Sequence, residues 1–183
     1  MKSSFLSENE ISKLEFKNIG KNVKISSKAS FYYPELMTLK DHIRIDDFCI
    51  LSGSITIGSH VHISAYSALY GKAGIFLEDF VTISGRVTIY SVNDDYSGEY
   101  LSNPTIPDEF TNVTAEPVLF KKYSIIGAGS IVLPGITIGE GAAVGALSLV
   151  KQSLEPWKVY AGIPCRIINI RKKDLIELER CVK

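Results

Sequence analysis

The chain has 183 residues, with 20 basic and 20 acidic side chains and a formal net charge of zero. With 45% hydrophobic residues it can bury a sizeable core, and its balanced charge gives no reason to expect nucleic acid or a membrane surface as a partner. No run approaches 18 apolar residues, Met1-Lys2-Ser3-Ser4 opens no signal-peptide core, and Cys49, Cys165 and Cys181 lack C-x-x-C spacing, so a cytoplasmic protein without a disulfide framework or thiolate metal site is expected.

In chain order, Ser7-Glu8-Asn9-Glu10 has the S-x-x-E form of a capping box and starts a short helix through about Phe16. Aliphatic or aromatic residues then recur every six positions. They form the blocks Ile19, Ile25, Phe31; then Leu39, Ile45, Leu51, Ile57, Ile63, Leu69; then Leu77, Ile83, Ile89; and finally Phe120, Ile126, Val132, Ile138, Val144, Val150. Two residues earlier stand small or β-branched side chains, among them Val23, Ala29, Cys49, Ser67, Val81, Ser124, Ser130, Ala142 and Ser148. Cys49 is thereby read as a small core residue. A period of six fits neither the 3.6 of a helix nor simple alternation. It suits a short strand plus a tight corner, with one large side chain per unit pointing inward.

That is the pattern of an all-β parallel β-helix, here of about six coils at three hexads per coil. The register slips by two residues after Phe31 and again after Leu69, which predicts looser corners there. Ile89 and Phe120 are 31 apart, so a loop of about residues 90–117 leaves the coil; loops this long are usually functional. Lys173 to Val182 reads as a second amphipathic helix. The expectation is one complete domain, 1–183: a helical cap at 1–18, a β-helix over 19–170 and a C-terminal helix over 171–183.

The run from Ile125 to Gly139 (Ile126-Gly127-Ala128-Gly129-Ser130, Leu133-Pro134-Gly135), then Gly141 to Val150, then Ala161-Gly162-Ile163-Pro164-Cys165-Arg166, resembles the hexapeptide-repeat acyltransferases. The resemblance spans nearly the whole chain. It implies a left-handed β-helix, a homotrimer with sites at subunit interfaces, and acetyl-CoA as co-substrate with no permanently bound cofactor. Tyr90 to Leu101 and Leu154-Glu155-Pro156-Trp157 narrow the resemblance to the branch that N-acetylates dTDP-linked amino sugars for O-antigens and capsules. The substrate this implies is dTDP-4-amino-4,6-dideoxy-D-glucose.

Gly127-Ala128 and Gly145-Ala146 are 18 residues apart, one full coil, and so stack on one corner with backbone N–H groups within reach of a ligand. By resemblance a pantetheine arm lies along that corner, the Ala128 N–H meets the thioester oxygen, and Ile163 and Pro164 belong to the same cofactor site. Lys151 and Arg166, with Arg171 or Lys172, are the candidates for the adenosine 3′-phosphate. Relatives often carry Thr-Lys-Asp after the last hexad where this chain has Lys151-Gln152-Ser153. Trp157 is expected to pack where the chain leaves the last coil, beside the CoA channel.

Many members of the family place a catalytic histidine early in the long loop. At the matching place this chain has Asp94, flanked by Asn93 and Asp95. An isolated aspartate has a reference pKa near 3.9, against about 6.5 for histidine, so it is a poor base for a sugar hydroxyl unless a like charge such as Asp95 raises it. A sugar amine with a pKa on the order of 8 is already partly nucleophilic at cellular pH. Aspartate in place of histidine therefore favours N-acetylation over O-acetylation of a galactoside, maltose or surface sugar.

His62 is the other candidate base, facing outward with Arg44 below and Thr82 above. Arg86 stands either to pair with Asp94 or Asp95 or to meet the acceptor's diphosphate. Tyr70, at the second loose corner, and Tyr90 and Asn93, in the loop motif, are candidate acceptor contacts, with Tyr70 placed to stack on thymine. Tyr32-Tyr33-Pro34 occupies the first loose corner. His42 and His60 also stack one coil apart, but no metal site is expected.

Overall fold

The aliphatic repeat becomes three vertical columns inside one prism. In this computed structural model, which describes residues 4–182, parallel pairing joins Ile25, Ile45, Ile63, Ile83, Ile126, Val144 and Tyr160 on the first face. Phe31, Leu51, Leu69, Ile89, Val132 and Val150 line up on the second. Ile19, Leu39, Ile57, Leu77, Phe120, Ile138 and Leu154 form the third. From Ile45 to Val150 nearly all of these side chains have no solvent exposure, and the small residues two places earlier fill the space beside them. Cys49 is among them, and its burial raises the thiol pKa to about 11.

The solenoid has seven rungs on its first face where the repeat suggested about six coils. The additional positions are Leu154 and Tyr160, which fall out of the earlier register because the step from Val150 to Leu154 is four residues where the others are six. The first loose corner is a 3-10 turn, Pro34–Leu36, entered through Tyr33 in the left-handed region. The second is no turn: Ala68–Leu77 is one continuous strand paired with Ile50–Ile57 around the bend.

The corner between the third and first faces shows how stacking offsets local strain. Asn22, His42, His60, Phe80, Tyr123, Gly141 and Trp157 all have φ between +56 and +63. That region disfavours L-residues by roughly 1–2 kcal/mol each. Here it aligns the side chains into a ladder, His42 on His60 at 4.7 Å, His60 on Phe80 at 4.7 Å, then Tyr123 at 5.6 Å and Trp157 at 6.1 Å. Trp157 reaches Tyr123 across a rung because Gly141 leaves the place empty; a Cβ there would sit 2.4 Å from the indole. Trp157 thus lies at the corner away from the Gly127–Gly145 stack and not beside it. The same corner places Ser124 at the inward small position, where its buried hydroxyl has no partner among the described residues.

Both ends are finished by short elements. The capping box forms as expected, with the Ser7 N–H donating to Glu10 Oε2 at 2.8 Å, but the helix is only Glu8–Ser12. Phe16, placed in that helix by the sequence, instead sets its ring edge-on against Phe31 at 5.2 Å. At the other end the chain reverses: Cys165–Ile170 pairs antiparallel with Lys158–Gly162. The C-terminal helix is Leu175–Glu179, shorter than the sequence pattern, and its Glu179 binds Lys122 Nζ at 2.7 Å and the Tyr123 hydroxyl. The tips of the expected caps, residues 1–3 and 183, lie outside the described residues. Among the described residues no helix is long and apolar enough to cross a membrane.

Two substitutions test this packing. Ser124→Ala removes an unsatisfied buried hydroxyl and is expected to raise unfolding stability by about 1 kcal/mol in urea titration. Gly141→Ala should lower it by about 2 kcal/mol, because neither the indole nor the coil can yield.

Candidate active site

The long loop is pinned at its base and folds over the second face. Ser91 is buried; its Oγ donates to the Tyr70 carbonyl and accepts the Ala73 N–H, each at 2.9 Å. Val92–Asn93 then pairs antiparallel with Thr114–Ala115, which closes the neck of the loop. Between loop and face lies a cleft of about 960 Å³. Tyr70, Tyr90, Asn93 and Asp94 line it on one side, with Ile131, Leu133 and Leu149 as its apolar floor. Tyr70 and Tyr90 stack with ring centroids 5.3 Å apart, and Asp94 is exposed.

The other candidates are placed differently. Asp95 does not face Asp94 as a second carboxylate. Its Oδ2 accepts the Ser97 hydroxyl at 2.7 Å and the Ser97 and Gly98 N–H groups at 3.0 and 3.3 Å, which fixes an Asx turn. Arg86 makes no ion pair among the described residues; its guanidinium lies 5.7 Å over the Tyr66 ring. His62 is on the first face with Arg44 and Thr82 as its vertical neighbours, as the coil spacing required, and is not brought to Asp94 within one chain. Its Nε2 meets Asp46 Oδ2 at 2.8 Å, and Arg44 Nε donates to Asp46 Oδ1 at 2.7 Å. Burial pushes the Asp46 carboxyl up, but the hydrogen bonds from Arg44 and His62 outweigh it and hold the group below the usual carboxylate range.

The stacked glycines form the corner between the first and second faces. Ser64, Ser84, Gly127, Gly145 and Ala161 occupy successive rungs there, each following an inward residue of the first column. The approach is close enough that a Cβ on Gly127 would lie 2.4 Å from the Ala146 nitrogen. The N–H groups of Gly85, Ala128 and Ala146 have no hydrogen-bond partner among the described residues. Ala128 and Ala146 stand in the corner turns that lead directly into the strands of the floor residues Ile131 and Leu149, three residues on in each case. A row of free amides thus borders the cleft.

Ile163 and Pro164 form the hairpin turn at the top of this corner, with Arg166 opposite Ala161 in the hairpin register. Lys151 stands apart from them, exposed on the second face one rung above Leu133. Arg171 is committed to the fold: it donates to the Tyr123 and Gly141 carbonyls at 2.8 and 3.0 Å, and burial lowers its pKa. Sequence reasoning passed over Ser84, whose hydroxyl has no partner among the described residues. Its signal was positional, since Ser84 is one coil below Gly127 in the same stack.

No family model matches the chain. It is 46% identical over 183 residues to a dTDP-4-amino-4,6-dideoxy-D-glucose acyltransferase of Escherichia coli, covering 98% of this chain and 95% of that relative. Among solved structures it is similar to AntD, an N-acyltransferase from Bacillus cereus in complex with dTDP and 3-hydroxybutyryl-CoA, at 51% identity and a TM-score of 0.96 over 98% of this chain and 96% of that one. The S84C variant of AntD, in complex with dTDP-4-amino-4,6-dideoxyglucose and Coenzyme A, matches at 50% identity and the same TM-score over 98% and 97% of the two chains. Another solved AntD variant is D94N, and the present chain also carries Ser84 and Asp94.

Because the folded state holds Asp46 below its unfolded pKa, the stability it contributes is present above about pH 4 and is lost as pH falls through the folded value. Asp46→Asn should therefore be less stable than the unaltered protein at pH 7, with the gap closing towards pH 3 in urea titrations. A gap independent of pH would show that the carboxylate's charge contributes nothing.

Proposed function

The chain belongs to the hexapeptide-repeat acyltransferases, left-handed β-helix enzymes that use acyl-CoA, and from that premise we propose that it acylates the 4-amino group of dTDP-4-amino-4,6-dideoxy-D-glucose, with acetyl-CoA as donor. The observation that carries this reading is the joining of two halves on one face: free backbone amides along the Gly127–Gly145 corner, and a cleft holding Asp94 beside stacked Tyr70 and Tyr90. The Escherichia coli relative is named for this sugar nucleotide, and the S84C variant of AntD was solved with it and with Coenzyme A.

The acyl donor's pantetheine arm lies along the amide corner, with Ile163, Pro164 and Arg166 at its nucleotide end. The dTDP-sugar enters the cleft, where Tyr70 and Tyr90 offer aromatic faces, Asn93 offers hydrogen bonds and Arg86 approaches the diphosphate. The neutral amine attacks the thioester carbon, forming the C–N bond. The carbonyl oxygen becomes anionic and accepts the Ala128 N–H. Collapse breaks the C–S bond and releases the CoA thiolate, and the proton on nitrogen passes to the Asp94 carboxylate. The amine needs no strong base to become a nucleophile, so the carboxylate has only to orient it and take this proton. The Ser84 hydroxyl, directly below Gly127, offers a further hydrogen bond at the reacting centre. Asp95 acts by shaping the loop around Asp94.

The working form is a cytoplasmic homotrimer whose clefts are completed by neighbouring copies, which is where His62 on the first face would approach a site. The product serves O-antigen or capsule synthesis.

The direct test is thiol release at pH 7.5 with acetyl-CoA and 3-hydroxybutyryl-CoA against dTDP-4-amino-4,6-dideoxyglucose, its galactose epimer, a 3-amino isomer, galactosides and maltose. Turnover on the first acceptor alone is expected. Turnover only on plain sugars would overturn the proposal in favour of O-acylation with His62 as base. Asp94→Asn should lower kcat/KM by about 10- to 100-fold with the loss persisting at pH 8.5; a near-normal rate there would remove its role in proton transfer.

A further inference from the structure

The prism interior behind the amide corner is polar, and the hexad pattern does not require it to be. At the corner between the third and first faces, the inward positions two residues before the column from Ile25 to Val144 hold Val23, Ile43, Val61, Val81, Ser124 and Ala142, and the single hydroxyl there is unpartnered. At the amide corner the same places hold Ala29, Cys49, Ser67, Val87, Ser130 and Ser148, and every thiol or hydroxyl among them donates to a corner carbonyl. Cys49 Sγ meets the Ser64 carbonyl at 3.2 Å and Ser67 Oγ the Ser84 carbonyl at 2.9 Å. Ser130 Oγ and Ser148 Oγ both donate to the Gly145 carbonyl, at 3.1 and 2.8 Å.

We propose that Ser130 and Ser148 are positioning residues for the acyl donor: by holding the Gly145 carbonyl inward they aim the Ala146 N–H outward at an amide carbonyl of the pantetheine arm. The inference rests on the acyltransferase reading. In a planar trans peptide the C=O and N–H point in opposite directions, so a carbonyl fixed towards the core fixes the following N–H towards solvent. The hydroxyls are themselves oriented. Ser130 Oγ accepts the Ser148 N–H and Ser148 Oγ accepts the Gly162 N–H, each at 3.1 Å, which leaves each hydroxyl proton for Gly145. The Gly127 carbonyl, in the peptide that carries the Ala128 N–H, accepts the backbone N–H of Ser130 at 3.3 Å. Val87 supplies no hydroxyl to that carbonyl, so the two serine hydroxyls act on the Ala146 amide alone. Pre-aimed donors bind a ligand without ordering themselves on contact, and their effect is on donor affinity.

The experiment is steady-state kinetics and CoA-binding calorimetry on the full chain carrying Ser130→Ala and Ser148→Ala together. Alanine fits these places, as Ala29 and Ala142 occupy equivalent ones. The expected result is a rise of about tenfold in KM for acyl-CoA and in Kd for CoA, with KM for the sugar nucleotide and kcat within about twofold. Ser124→Ala, the same deletion in the coil that holds Ser130, should move neither constant. Ser148→Cys, which keeps a donor of the kind Cys49 supplies, should bind CoA more tightly than Ser148→Ala. An unchanged KM for acyl-CoA in the double variant, or equal rises for both substrates with a falling kcat, would overturn the proposal while leaving the acyltransferase reading intact. If the double variant does not fold, Ser148→Ala carries the same test with a rise of about threefold. Unaltered protein that neither binds CoA nor turns over would sink both.

Discussion

Parallel in-register pairing between coils is the interaction on which the rest depends. Each rung hydrogen-bonds to the next at about 4.8 Å, so whatever occupies one place in a coil becomes the vertical neighbour of its counterpart. Chemistry is thereby sorted into columns: aliphatic side chains in the shaft, rings at one corner, hydroxyls behind another, and glycines where the outer surface must stay open. A single residue matters less than the column it continues. Gly141 is intelligible only from Trp157 above it, and Ser84 only from Gly127 and Gly145.

How much of this could be read in advance follows from where the spacing is strict. Leu39 to Leu69 and Phe120 to Val150 keep a six-residue step, and their columns formed as written, with Cys49 in the core and Arg44, His62 and Thr82 in one row. Leu154 and Tyr160 were hidden because the last coil is shorter, and a period cannot report a position that breaks it. The N-terminal helix ended early for a different reason: Phe16 packs on Phe31 at the end of the prism without continuing a helical turn.

The candidate site divides along the same line. The amide corner could be placed from the coil length alone, because register is a backbone property. In the loop no period operates, and side-chain partners decide. Tyr70, Tyr90, Asn93 and Asp94 converge on one cleft, whereas Asp95 turns back to cap Ser97 and Gly98, and Arg86 lies on Tyr66 one rung below. Arg171 and Lys151 looked alike as cations near the C-terminus. One is consumed by two backbone carbonyls and the other stands exposed on the second face, distinctions that exist only once the coils are stacked.

The reversal of the chain after Gly162 bears on what happens to the molecule as an object in solution. A parallel solenoid ends in a row of unsatisfied strand groups, an invitation for another coil to dock and for growth without limit. Here Cys165–Ile170 runs back against Lys158–Gly162, with a break in register at Val159 and Tyr160. Any newcomer would meet a strand of the opposite direction and uneven pitch. The last hairpin makes a fold that is periodic by construction finite in length, and so keeps an enzyme from becoming a fibre.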